Sequence, residues 1–273
     1  MTRIMIIDDS RLVGRLVERM LASQDVEILQ ARTGAEVFGG LGSTSVLRTF
    51  QPHIILLDIY LPDMNGMEIL DKLHSMVDAK GIPVIMISSS ASSVNMEQAA
   101  AKGSAGFLAK PFKPRDLYQE LARVAQKHNL KDLATTLCQL LGMKEKPKEG
   151  DDHALIVGPA NLNGLLDILD GDRKMLHTLV SVFVRDMPEQ LDQVIEAVQV
   201  KDADLVRRMA HGLKGLVGNM GMPRLTKFAL ALEQKGHQKD LAQADQLLQV
   251  VKRDAESLHM ALFKWLQKDK YGE

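Results

Sequence analysis

The chain has 273 residues, enough for two ordinary domains, and its 45% hydrophobic and 25% charged residues are those of a globular rather than a disordered protein. A formal net charge of -1 argues against a protein whose main business is coating nucleic acid, and 4% aromatics leave little surface for stacking bases. No stretch approaches the roughly 20 consecutive apolar residues of a spanning helix, and Cys138, the only cysteine, excludes an internal disulfide and fits a reducing compartment.

The start, MTRIMIIDDS, breaks its apolar run with two aspartates and does not read as a signal peptide. A cytoplasmic protein with no membrane and no nucleic-acid partner is expected. Short apolar runs at Arg3–Ile7, Val26–Gln30, His53–Leu57, Val84–Ile87 and Gly106–Ala109 then alternate with helical patterns near Arg11–Ala22, Glu36–Thr49, Met67–Val77, Val94–Lys102 and Arg115–Gln126. Five strands separated by helices of this length predict a doubly wound α/β fold, a parallel sheet covered on both faces. The Gly39–Ser45 segment, GGLGSTS, interrupts the second helical pattern.

From about residue 128 the pattern changes. Leu130, Leu133, Leu137, Leu140 and Leu141 form a helical stripe, and residues 144–152, KEKPKEGDD, read as a charged linker. The stripe either continues the last helix of the first half and covers that half's own core, packs between domains or pairs two chains as a homodimer through the 128–142 helix. Every later periodic segment is helical, near Leu162–Leu169, Arg173–Val198, Ala203–Gly218, Arg224–Lys235 and Leu241–Gln267, with no clear strand alternation. This predicts a helical bundle. The expected organisation is thus 1–127, an extension and linker at 128–152, and 153–273.

The strands of the first half end on chemistry. Asp8-Asp9 follow the first, Asp58 the third, Ser88-Ser89 the fourth and Lys110-Pro111 the fifth. In a parallel sheet these ends share one edge, where such folds bind ligands. Three carboxylates without His or Cys call for a hard cation such as Mg²⁺. Together with Lys110 it would neutralise a phosphoryl group attacked by one carboxylate. A single strand-end aspartate is more often a cap or turn residue, and Ser10 is itself a good cap for the first helix. The convergence of four strand ends is what favours a site.

These residues, with Asp58-Ile59-Tyr60-Leu61-Pro62-Asp63-Met64-Asn65-Gly66, Pro83–Ser89 and Gly106–Phe112, resemble a response-regulator receiver domain over nearly all of residues 1–127. The resemblance implies a flavodoxin-like fold and Asp58 as phosphoacceptor. It implies Asp9 and Asp58 as direct Mg²⁺ ligands, with the Tyr60 backbone carbonyl and a water held by Asp8. Ser88 would hydrogen-bond the phosphoryl oxygens, Lys110 would pair with them, and Phe107 would be a rotating switch. Lys110–Pro111 is expected to be cis. Ser88, Ser89 and Phe107 are variants of the family's commonest threonine, alanine and tyrosine.

In the second half, steps of about 100° from His211 place Leu205, Met209, Leu213, Leu216 and Met220 on the opposite side of a helix. His211 is therefore expected to point to solvent. Arg207, Arg208, Lys214, Gly215 and Gly218 share its face, the cations to stabilise a phosphoryl group and the glycines to give access. The other seven histidines lack such a setting. Ala210-His211-Gly212-Leu213-Lys214-Gly215 resembles the signature of histidine phosphotransfer domains, helical bundles with one phosphorylatable histidine, over roughly residues 153–270. Leu216 stands where that family more often has a small polar residue.

The expected function is a phosphorelay protein that accepts a phosphoryl group on Asp58 and carries one on His211. It would be a Mg²⁺-dependent acceptor and carrier rather than a conventional turnover enzyme, and since no P-loop for ATP is read in the sequence, a kinase must supply the phosphate. An upstream sensor histidine kinase and a downstream receiver or phosphotransfer protein would be its partners. The alternative is a phosphorylation-controlled binding switch with the helical domain as effector surface.

Overall fold

The runs β1 (Thr2–Ile7), β3 (Ile54–Asp58) and β4 (Val84–Ser88) are almost wholly apolar, with no in-and-out alternation. Strands of that kind must be covered on both faces. In the computed structural model they join β2 (Val26–Ala31) and β5 (Gly106–Ala109) in a sheet of order β2-β1-β3-β4-β5, every neighbouring pair parallel. This is the flavodoxin-like order expected. The structure describes residues 1–22, 25–39, 44–88, 93–142, 156–169, 171–218 and 220–268. The chain divides into two compact units, Met1–Lys146 and Pro147–Glu273.

Helices α1 (Arg11–Met20), α2 (Gly34–Phe38), α3 (Val46–Phe50), α4 (Gly66–Ser75), α5 (Ser93–Ala101) and α6 (Pro114–Lys127) connect and flank the strands. Side-chain caps start several of them. Ser10 accepts from the Val13 amide, Thr33 from Glu36 and Asn65 from Met67, while Pro114 opens α6 with a ring already set for helix. The single pattern read over Glu36–Thr49 is two five-residue helices. The first stops at Gly39, whose φ of 80° ends the helix. The second starts from Ser45, whose hydroxyl accepts from Arg48 and donates to the Val37 carbonyl at 2.8 Å.

Helix α7 (Lys131–Gly142) packs back on α6, with Leu133, Ala134 and Leu137 buried. Leu133 and Leu137 of the leucine stripe are thus used within their own unit, as a helix covering its neighbour would use them. The charged linker at 144–152 lies outside the described residues.

The second unit opens with a small antiparallel pair, β6 (Ile156–Val157) and β7 (Ala160–Asn161), where no strand was expected. Two residues per strand are too few for any alternation to be read. The rest is helical: α8 (Asn163–Ile168), α9 (Arg173–Gln199), α10 (Ala203–Gly218), α11 (Pro223–His237) and α12 (Ala244–Lys268). Each long helix buries a stripe at three- and four-residue spacing, as Val251, Ala255, Leu258 and Leu262 do on α12. Pro188 interrupts the ladder of α9 by removing the amide that would bond the Val184 carbonyl. His259 of α12 donates a ring N–H to that carbonyl instead, at 2.9 Å. Among the described residues, no helix is long and apolar enough to cross a membrane.

Candidate functional site

Because the strands are parallel, their carboxyl ends lie together, and Asp8 meets Lys110 across 102 positions of sequence. The ammonium of Lys110 bridges two carboxylates, 2.6 Å from Asp8 Oδ2 and 2.5 Å from Asp58 Oδ2. Carboxylate oxygens of Asp8, Asp9 and Asp58 all lie within 4.8 Å of one another. Asp8, Asp58 and Ser88 are buried, and Asp9 is half-buried. Backbone amides hold the acids in place: Ser10 donates to Asp8 Oδ1 at 2.9 Å and Tyr60 to Asp58 Oδ1 at 3.2 Å. The Lys110–Pro111 peptide is cis, as expected. Phe107 is half-buried on β5 and its backbone amide donates to Glu120. Ser89 lies outside the described residues.

The charges in this pocket are not balanced. Burial raises Asp8 to about 6, with Asp58 adding to the rise and Lys110 opposing it. Burial and the neighbouring carboxylates Asp8 and Asp58 raise Asp9 to about 7. Burial opposes the charge on Lys110, yet Asp58 and Asp8 outweigh it and raise the ammonium above its ordinary value. One lysine among three carboxylates leaves excess negative charge, and oxygen-only donors suit a hard divalent cation. The residues present therefore fit Mg²⁺.

The histidine site has the opposite construction. His211 of α10 is only 4% exposed, so the expectation that it points freely to solvent is wrong. The core stripe of α10 runs through Val206, Ala210, Leu213 and Val217 rather than through Leu205 and Met209, which are half-buried. The ring does turn away from that stripe, but α11 covers it. Glu233 Oε1 lies 2.6 Å from His211 Nδ1, and Glu233 Oε2 accepts from Lys214 at 2.7 Å. Lys214 Nζ stands 3.4 Å from the same ring nitrogen. Burial pushes Glu233 up, but His211 and Lys214 outweigh it and hold the carboxyl below its ordinary 4.5. A methyl group placed on Gly215 would meet nothing within 4 Å, and one on Gly218 only Thr226 at 4.0 Å. Space next to the ring is open there. Arg207 and Arg208 are half-buried on the preceding turn.

Known proteins supply the families of the two halves. The response regulator receiver domain family matches residues 4–122, and the Hpt (histidine phosphotransfer) domain family matches residues 178–260. The chain is a receiver domain followed by an Hpt domain. Both are phosphotransfer modules rather than turnover enzymes. The signal transduction histidine-protein kinases BarA of Shigella flexneri and of Escherichia coli (strain K12) are each 24% identical over 241 residues, 85% of this chain. The chain spans only 24% of the length of those kinases. Protein-glutamate methylesterase/protein-glutamine glutaminase 2 of Rhodopseudomonas palustris is 37% identical over 115 residues, 41% of this chain and 29% of that protein. Among solved structures, the chemotaxis protein CheY4 of Vibrio cholerae is 26% identical, covering 45% of this chain and 98% of its own, with a TM-score of 0.41.

Glu233 is the principal residue of the Hpt site that the sequence reading missed. It sits 22 positions after His211 on another helix, and an ordinary leucine–glutamate step on an amphipathic helix gives no local signal. Gly236, one turn later, explains how it gets there. A β-carbon on Gly236 would lie 2.5 Å from the Ala203 carbonyl oxygen and 2.6 Å from the Arg207 amide nitrogen. Only glycine lets α11 approach α10 that closely. In the receiver, the missed residues are Gln30 on β2 and Arg32 just after it. Gln30 Nε2 donates to the Asp8 and Ser10 carbonyls at 2.7 and 3.0 Å, and Arg32 Nε donates to the Asp9 carbonyl at 3.2 Å.

Proposed function

We propose that this chain is a phosphorelay intermediate in which Asp58 accepts a phosphoryl group and His211 carries one. The observation that carries the reading is the pairing, in one chain, of a lysine-bridged aspartate pocket with a carboxylate-held histidine. In the receiver, an Asp58 carboxylate oxygen attacks the phosphorus of a phosphoimidazole donor. The P–O bond forms as the P–N bond breaks, and the departing ring nitrogen keeps the electron pair. Lys110 then pairs with the phosphoryl oxygens in place of the free carboxylate, and the Ser88 hydroxyl donates to another. Asp9 and Asp58, with the Tyr60 carbonyl and a water on Asp8, would hold Mg²⁺. When bound, the ion neutralises charge on the phosphoryl oxygens. Phe107 on β5 serves as the switch that reports phosphorylation.

At the Hpt site, His211 Nδ1–H donates to Glu233, which leaves the lone pair on Nε2. That nitrogen is the nucleophile and takes the phosphoryl group as a phosphoramidate. Lys214, Arg207 and Arg208 offset its charge, and Gly215 and Gly218 leave room for the partner. Among the described residues the bundle holds no cluster of metal-ligating side chains, so the catalytic groups come from whichever receiver docks. An upstream sensor histidine kinase and a downstream receiver or phosphotransfer protein complete the relay. Phosphotransfer from a donor kinase to wild type, Asp58→Asn and His211→Gln tests this. Asp58→Asn should remove the aspartyl phosphate and His211→Gln the histidyl phosphate. If no phosphoryl group ever reaches or leaves His211, the relay fails.

A further inference from the structure

Three successive backbone carbonyls of the β1–α1 loop, those of Asp8, Asp9 and Ser10, accept hydrogen bonds from side chains at the carboxyl end of β2 and just beyond it. Of the donors, Gln30 lies near the carboxyl end of the edge strand and Arg32 just after it. Gly14 makes room for the first, because a β-carbon there would lie 2.1 Å from Gln30 Oε1. The two donors differ in one respect. Gln30 is neutral, whereas Arg32 brings a permanent positive charge to the backbone of Asp9. Three carboxylates and Lys110 leave the pocket a formal charge of about -2, and Arg32 halves it.

We propose that Arg32 is a built-in counter-charge that sets the divalent-cation affinity of the receiver pocket, holding Mg²⁺ binding weaker than the carboxylates alone would make it. The inference rests on reading Asp8, Asp9 and Asp58 as the Mg²⁺ site. Repulsion between a guanidinium and a divalent ion several ångströms apart opposes metal entry, most strongly at low salt. Arg32 is accordingly an affinity-setting residue that touches the loop carrying the ligands, not a ligand. Its effect separates from mere loop support, because glutamine places a nitrogen donor the same number of bonds from the backbone as arginine Nε. Arg32→Gln removes the charge and retains a donor for the Asp9 carbonyl. Arg32→Lys retains the charge and displaces the donor.

Titration calorimetry of the full chain with MgCl2 at about pH 8, above the raised Asp8 and Asp9 values, reads this directly. Arg32→Gln is expected to bind Mg²⁺ about fivefold tighter than wild type at low ionic strength, with the gap closing to under about twofold near 0.5 M KCl. Arg32→Lys is expected to stay within about twofold of wild type. Equal or weaker binding by Arg32→Gln at low salt overturns the counter-charge, as does a gap that salt leaves unchanged. Absence of Mg²⁺ binding in wild type and variants alike overturns the metal reading itself, and the counter-charge with it.

Discussion

The receiver pocket and the Hpt site are built on inverted charge patterns. In the receiver, three carboxylates crowd one ammonium, so Asp58, the proposed nucleophile, sits in a field that a cation would complete. In the Hpt domain, one carboxylate holds a ring and an ammonium together, so the charges are already matched before any ligand arrives. The lesson concerns where catalytic power resides. An unbalanced pocket can gather metal and phosphoryl group and drive the reaction, whereas a balanced one can orient a nucleophile and wait for a partner.

The largest effect should come from removing the ammonium that bridges the receiver's carboxylates. Lys110→Ala leaves Asp8 and Asp58 unbridged and is expected to slow phosphorylation of Asp58 by about 10²–10³, read as initial rate from a kinase or a small phosphoryl donor. A rate within a few-fold of wild type would erase the asymmetry between the two sites. Next in size is Glu233→Ala, which frees the His211 ring. Phosphorylation of His211 should fall by about tenfold to a hundredfold, by analogy with other partners that orient an imidazole. Glu233→Gln keeps an acceptor and should lose less. Equal losses in the two variants would show that charge, not orientation, is what Glu233 provides.

How much of this was legible follows from where the information lies along the chain. The receiver pocket could be read because each member stands at the end of its own strand, so strand position alone brings Asp8, Asp58, Ser88 and Lys110 to one edge. The histidine could be found but not its surroundings. Periodicity within α10 places His211 away from its own core stripe, but it carries no information about α11 folding over that face. Glu233 and Gly236 are visible only once two helices are packed. Gln30 and Arg32 were missed for a related reason, since polar residues near the end of an edge strand read as solvent-facing.

A third prediction uses pH to sharpen the comparison. Asp9 is raised from its ordinary 3.8 to about 7, so in this window the folded chain keeps a proton that the unfolded chain has lost. Without divalent cations, Asp9 therefore makes stability fall as pH rises between those values and level off above them. Asp9→Asn should remove roughly 2 kcal/mol or more of that decline, measured by urea unfolding of the full chain in chelator. Mg²⁺ should have a similar effect on the wild type. Glu233 works in the reverse sense: its lowered value gives stability that is present above 4.5 and lost on acidification below it. A flat difference between Asp9→Asn and wild type across the window would contradict the account of an unbalanced receiver pocket.

The smallest effect on stability should be at Gly215. Alanine there has open space around it and is expected to stabilise α10 by about 0.5–1 kcal/mol. Transfer to and from a receiver should nonetheless slow, because the added methyl group stands on the docking side of His211. Unchanged transfer would mean that the open face is not the one a partner uses.

The central claim, that one chain bears both an aspartyl and a histidyl phosphoryl group, is tested most directly by ³¹P NMR of the phosphorylated full chain. The account predicts two resonances, an alkali-labile acyl phosphate absent from Asp58→Asn and an acid-labile phosphoramidate absent from His211→Gln. A single resonance, or one that survives both substitutions, would contradict it.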